Sequence, residues 1–196
     1  MTEIYFVRHG ETDDNRDHNL CGWINPSLNK EGLIQAERVA QQLKNESFDA
    51  IYTSGLKRTN ETAAMILGCK HEKIQPLDTL KELNFGDFEG RKMVELEKEH
   101  PQLYQQMRDD FIGFRFPGGE SLREMHHRVN KTMKELISRH DGEKILIVAH
   151  SGVIRSIMAE LITGDMKKHW NFKIDHCSVS KIEAHGDFYI LTKLNE

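Results

Sequence analysis

Two short stretches, EIYFV at 3–7 and KILIVA at 144–149, are apolar with almost no polar alternation. A strand with one wet face alternates, so strands like these are buried on both faces, the pattern of a parallel sheet covered by helices. Between them the chain supplies the covering layers. Residues 31–44 carry Leu33, Ala36, Val39, Ala40 and Leu43 on one helical face, FDAIYT at 48–53 reads as a strand, LKRTNETAAMIL as a helix and KIQPL as a short strand. Residues 121–139 form the clearest helix, opening on Ser121 with Glu124 three positions later, a capping-box signature. Residues 152–163 continue as helix, and SVSKIEA, HGD and FYILTKL close the chain as a hairpin. Strands alternating with helices predict one three-layer αβα domain over 1–196, mainly parallel, with a long helical segment at 91–120 as a cap.

Both apolar strands end in the same way. The first runs into Arg8-His9-Gly10 and the second into His150-Ser151-Gly152. Ligands of open parallel sheets bind beyond the carboxyl ends of the strands, so both imidazoles are expected at one rim. A guanidinium there needs an anion, and its fork suits phosphate. The second strand ends in YTSGLKRTNETA, which puts Arg58 in the first turn of the next helix. A cation at that end opposes the helix dipole unless an anion is near. Arg8, Arg58, His150 and helix N-termini are therefore expected to hold a phosphate around His9, with Gly10 allowing close backbone approach. A neutral His9 can attack phosphorus if its other ring nitrogen donates to an oxygen. The carboxylates a metal would want are not clustered at these strand ends, and no H-E-x-x-H, paired C-x-x-C, P-loop or G-x-S-x-G occurs, so neither a metal nor a cofactor is expected. The leaving alcohol still needs an acid, and LKELNFGDFEG at 80–90 offers Glu82, Asp87 and Glu89 without a choice among them.

Composition excludes other classes. A net charge of −4 with no basic run argues against nucleic acid, and no stretch of the 196 residues is apolar enough for a bilayer. Cys21, Cys69 and Cys177 are an odd, scattered set, which points to a reducing compartment, and cytoplasm is the expectation.

In combination, RHGET at 8–12, SGLKRTNETA at 54–63, LKELNFGDFEG at 80–90 and AHSG at 149–152 resemble the histidine phosphatase superfamily, the phosphoglycerate-mutase-like fold. The resemblance covers nearly the whole chain. It implies a metal-independent phosphomonoester phosphatase with His9 as nucleophile, Arg8, Arg58 and His150 as phosphate pocket, and Glu82 as proton donor. It also implies phosphate or substrate contacts for Asn15, Cys21, Gly22 and Ser151. FRFPGGESLREMHHRV at 114–129 resembles the α-ribazole phosphatase type, so a small phosphorylated metabolite such as α-ribazole 5′-phosphate is the expected partner. A cofactor-dependent phosphoglycerate mutase is the alternative, although Phe85 stands where such mutases carry Tyr and the insertion is short. A non-catalytic phospho-ligand module is the second alternative, disfavoured because His9 and Glu82 are both present.

Other conspicuous residues receive plainer expectations. His126 and His127 are taken as solvated or capping, Trp23 as packing its loop, and Trp170 and Phe172 as core or subunit contacts. Cys21 is at most a pocket wall. Arg115 and Phe116 are open between surface and pocket. Specificity is expected in loop 16–26, segment 91–120 and the approach to Cys177. The C-terminal hairpin leaves a homodimer as one option.

Overall fold

Burial on both faces of the central strands organises the architecture. The computed structural model describes residues 1–68 and 74–196. In strand β1 (Thr2–Arg8), Ile4 and Phe6 face one way and Tyr5 and Val7 the other, and all four are at most 4% exposed. Strand β4 (Lys144–Ala149) repeats this, with Ile145 and Ile147 on the first side and Leu146 and Val148 on the second. The remaining strands are β2 (Ala50–Thr53), β3 (Ile74–Pro76), β5 (Val179–His185) and β6 (Phe188–Lys193), in the order β3-β2-β4-β1-β5-β6. The first four are parallel and the last two add antiparallel as the C-terminal hairpin. The first residue of the expected KIQPL strand, Lys73, lies outside the described residues, as does Cys69.

Helices α2 (Lys30–Gln42) and α3 (Lys57–Leu67) cover one face, burying Ala36, Val39 and Ala63 against Tyr5, Val7 and Val148. Helices α6 (Leu122–Arg139) and α7 (Ser151–Met158) cover the other with Met125, Val129, Met133, Ile154 and Ile157. Burying a side chain such as Phe6 contributes about 1.5–3 kcal/mol. Ser121 caps α6 through the expected reciprocal pair with Glu124. Leu33 departs from expectation at 45% exposure, because the buried stripe of α2 runs through Gly32, Ala36 and Val39. After Met158 the helix continues as a π-helix (Ala159–Thr163) and ends at left-handed Gly164. Helix α1 is a single turn (Asp13–Arg16). The segment 91–120 contains α4 (Met93–Glu99) and α5 (Pro101–Asp109), and it packs Leu96, Met107 and Phe116 into the α6–α7 core.

Register positions the site. Arg8 pairs with Ala149 and Thr53 with Val148, so β1, β4 and β2 end side by side. The His9 amide donates to the Ala149 carbonyl at 3.0 Å, which places His9 and His150 next to each other.

Candidate active site

His9 and His150 meet at this rim with ring centroids 5.1 Å apart, and both are at most 4% exposed. His9 Nδ1–H donates to the Gly10 carbonyl at 2.7 Å, the tautomer-fixing bond expected from sequence. A carbonyl can only accept, so Nε2 is left unprotonated, and it has no hydrogen-bond partner among the described residues. Burial first, then the Arg58 and Arg8 charges, hold His9 well below the ordinary imidazole pKa. His9 is therefore neutral at neutral pH, with a lone pair on Nε2.

The two arginines are cations without counter-ions. Arg58 is wholly buried and donates to the carbonyls of Ile24 (2.8 Å) and Gly22 (2.6 Å), while its Nε–H points at His150 Nδ1, 3.4 Å away. Arg8 donates to the Ile174 carbonyl at 2.8 Å and to His176 Nε2 at 2.7 Å, and its buried Nε has no partner. Neither is in a salt bridge among the described residues. Burial lowers both, Arg8 to about 10, partly opposed by Glu82 at Arg8 and by Cys21 and Glu82 at Arg58. Two largely buried positive charges around a bare imidazole nitrogen call for an anion.

His150 stands closer to the protein than to open space. Its Nδ1 accepts from Arg58, and its Nε2–H donates to Ser54 Oγ at 2.8 Å. Burial, then Arg58 and His9, keep it neutral. Gly10 serves a different purpose from the one expected. A Cβ there would meet the Gly32 carbonyl at 2.5 Å, so the close approach is to α2. Gly22 is excluded from carrying a side chain by the Leu83 carbonyl at 2.0 Å.

The three acids of 80–90 separate by geometry. Glu82 accepts from the Gly152 amide at 2.9 Å and the Leu83 amide at 2.9 Å. It therefore occupies the N-terminus of α7, which the sequence suggested as a phosphate cradle. Glu89 accepts from the amides of Gly22, Trp23 and Phe85 at 2.9, 2.7 and 3.0 Å and so braces the loop that holds Arg58. Asp87 is exposed.

Asn15 forms the capping box with Thr12 that opens the one-turn helix α1, and its Oδ1 lies 3.2 Å from His176 Nε2. Cys21 contributes its carbonyl to Arg58 at 3.5 Å, and burial lifts its thiol to about 11, far from a thiolate. Ser151 and Gly152 line a cavity beyond Glu82, and Phe111 is its one lining residue from 91–120. Arg115 is exposed and pairs with Glu124, while Phe116 is buried.

Several expectations need correction. His126 is 4% exposed and pairs with Glu160 at 3.1 Å rather than being solvated; His127 is exposed. Of the two readings for Trp170, core or subunit contact, its 57% exposure under the Arg155 guanidinium removes the first. Trp23 is 42% exposed and does more than pack, since its Nε1–H donates to the Glu82 carbonyl at 2.9 Å. Sequence reasoning missed three participants. His176 lies 5.8 Å from His9, ring to ring, with its pKa brought to about 4 by burial and Arg8; its signal was its place beside Cys177. Arg155 lies one turn into α7. Arg128 donates to the Glu82 carbonyl at 2.9 Å while paired with Glu120 at 2.6 Å, and Glu120 accepts from the Asn84 amide at 3.0 Å. That pair clamps the strand of loop carrying Glu82. Among the described residues no cluster of side chains could hold a metal ion, and no helix is long and apolar enough to cross a membrane.

Comparison with known proteins gives the family. The profile of the histidine phosphatase superfamily (branch 1) matches residues 4–196. The chain belongs to that family. As a histidine phosphatase it is a hydrolase acting on phosphomonoesters. It is 31% identical to phosphoserine phosphatase 1 of Hydrogenobacter thermophilus, over all of this chain and 92% of that protein. The alpha-ribazole phosphatase of Shigella flexneri superimposes with a TM-score of 0.94 at 30% identity, over 99% and 96% of the two chains. Phosphoserine phosphatase of Entamoeba histolytica, solved with 3-phosphoglyceric acid, gives 0.86 at 26% identity, over 100% and 98%.

Proposed function

We propose that this phosphatase works without a metal, through a phosphohistidine on His9, with Glu82 as acid and then base. The observation that carries the reading is the bare, neutral Nε2 of His9 under the charges of Arg8 and Arg58, two cations in no salt bridge among the described residues. In the first step His9 Nε2 attacks phosphorus in line, the ester P–O bond breaks, and Glu82 delivers its proton to the departing alcohol. Arg8 and Arg58 take the phosphoryl oxygens, which replace His150 Nδ1 as acceptor for the Arg58 Nε–H. Their charge offsets what builds up in transfer, the part a metal plays elsewhere. In the second step Glu82, now a carboxylate, takes a proton from water as its oxygen attacks phosphorus. The P–N bond breaks, His9 recovers its lone pair and inorganic phosphate leaves. His150, held by Ser54, packs edge-on against the His9 ring and limits its rotation, and Asn15, Cys21 and Gly22 form the near wall.

The substrate is a small phosphorylated metabolite, with phosphoserine-like and α-ribazole-like monoesters as the two starting candidates. The test is phosphate release with chelator present, together with acid-labile trapping of label from substrate. His9→Ala should abolish label transfer and cut turnover by at least about 10⁴-fold with unchanged circular dichroism. Turnover retained in that variant refutes the mechanism.

A further inference from the structure

The phosphate end of the site leaves open what the alcohol end recognises. Beyond Glu82, between α7 and the turn Met166–Asn171, lies a cavity of about 170 Å³. A cavity of about 150 Å³ holds a benzene, so this one takes a leaving group of a few carbons. Leu83, Phe85, Leu122 and Met125 give it apolar walls, and into these walls a single cation projects, Arg155.

Arg155 is fixed at its root and open at its fork. Its Nε–H donates to the Phe172 carbonyl at 2.9 Å, and its guanidinium carbon sits 5.2 Å from the Trp170 ring centroid. Its two terminal nitrogens make no hydrogen bond or ion pair among the described residues. A guanidinium anchored by Nε and stacked on an aromatic ring has already lost much of its rotamer freedom, so a ligand that meets the fork does not repeat that cost. The cavity offers no acid except Glu82, whose carboxylate already receives the Gly152 and Leu83 amides. His169, the other titratable neighbour, is held neutral, to about 3, by burial and by Arg155, and adds no second positive charge.

We propose that this cavity reads a carboxylate on the leaving group through Arg155, so that the substrate is the phosphate ester of a small hydroxy acid or hydroxyamino acid. The proposal rests on the phosphatase reading of the same site. A second phosphoryl group is the other anion a lone arginine could attract. The geometry favours the carboxylate because one guanidinium matches one negative charge. The phosphoryl site at His9, by contrast, uses two arginines to balance a dianion. An uncharged nucleoside-type alcohol would leave the fork unpaired beside apolar walls.

Matched esters test this with the 196-residue chain. O-phosphoserine is compared with O-phosphoethanolamine, and 3-phosphoglycerate with glycerol 3-phosphate; within each pair the second member lacks the carboxylate. 1,3-Propanediol bisphosphate against propyl phosphate reads the competing anion, and α-ribazole 5′-phosphate and p-nitrophenyl phosphate complete the panel. Wild type should favour at least one carboxylate ester over its partner by about tenfold or more in kcat/KM, the low end for a bidentate charged pair. Arg155→Met should bring that ratio to about one, and Arg155→Lys should restore part of it. Ratios near one in wild type overturn the proposal whether or not the variants fold. So does a ratio unchanged in Arg155→Met, a larger Arg155-dependent preference for the bisphosphate, or α-ribazole 5′-phosphate exceeding both carboxylate esters. No phosphate release from any of the panel refutes instead the phosphatase reading beneath it.

Discussion

Acid should unfold this protein earlier than its carboxylates would suggest, because the fold keeps four imidazoles neutral. His9, His150 and His169 are at most 4% exposed, and His176 is partly covered. Burial is the first cause in each, followed by Arg58 at His9 and His150, Arg155 at His169 and Arg8 at His176. His169 is brought to about 3 and His176 to about 4, and the other two lie well below the ordinary value. In the unfolded chain the same rings take up protons near pH 6.5. Below that pH the unfolded state binds more protons than the native state, so stability is complete above it and is lost as pH falls toward the folded values. Between pH 7.5 and 5.5 each such ring costs about 1.4 kcal/mol, and four cost together about 5 kcal/mol. That is comparable with the whole net stability of many domains. The lowered carboxylates, such as Asp175 and Glu124, titrate below this window, and the raised thiols of Cys21 and Cys177 titrate above it. Urea unfolding at the two pH values, in buffers free of phosphate that would bind the native state, measures the difference directly. A loss below about 1.5 kcal/mol, one ring's worth, would refute the argument that these histidines stay neutral in the fold.

Glu82→Gln should lower kcat on alkyl phosphates by about 10²–10⁴-fold. The loss should be smaller on p-nitrophenyl phosphate, whose leaving group departs without a proton; equal losses would count against Glu82 as the acid. Arg128→Met leaves the Glu120 carboxylate, 14% exposed, without its cation, and should cost about 3 kcal/mol in chemical unfolding. It should also reduce kcat more than KM changes, since the clamp on the Glu82 backbone is released; a purely structural role would leave kcat of the folded fraction intact. Pairing it with Glu120→Gln should cost less than the two single changes added, because one interaction is removed twice.

The sheet, and the meeting of Arg8, His9 and His150 at one rim, were legible in the sequence for one physical reason. The non-alternating run at 144–149 can exist only where both faces are covered, so it announces a central strand, and Arg8-His9 and His150 follow directly from two such strands. Local information was enough. Glu82 was different: spacing left three acids, and what separates them is tertiary, namely Gly152 from a helix 70 residues later and loop 22–24 capturing Glu89. His126 was misread because its helical position is amphipathically ambiguous, and only the π-helical turn that brings Glu160 to it settles its burial. Trp170 and Arg155 were opaque for a similar reason. Neither has meaning alone, and their stacking depends on how the turn Met166–Asn171 folds back over α7.

In the proposed mechanism the residues that take the phosphoryl group also cost the native state stability, and both effects have one origin. Arg58 is held by backbone carbonyls rather than by a carboxylate, and Arg8 keeps one buried N–H unpaired. An internal carboxylate would relieve both and raise stability, but it would occupy the position a phosphoryl oxygen needs and, by its charge, raise the pKa of His9. Leaving the cations unneutralised by any carboxylate keeps His9 deprotonated. The cost falls on folding, and inorganic phosphate, as the product, should recover part of it by binding only the native state. The covering layers can bear that cost because the sheet buries both faces of β1 and β4 directly behind the site.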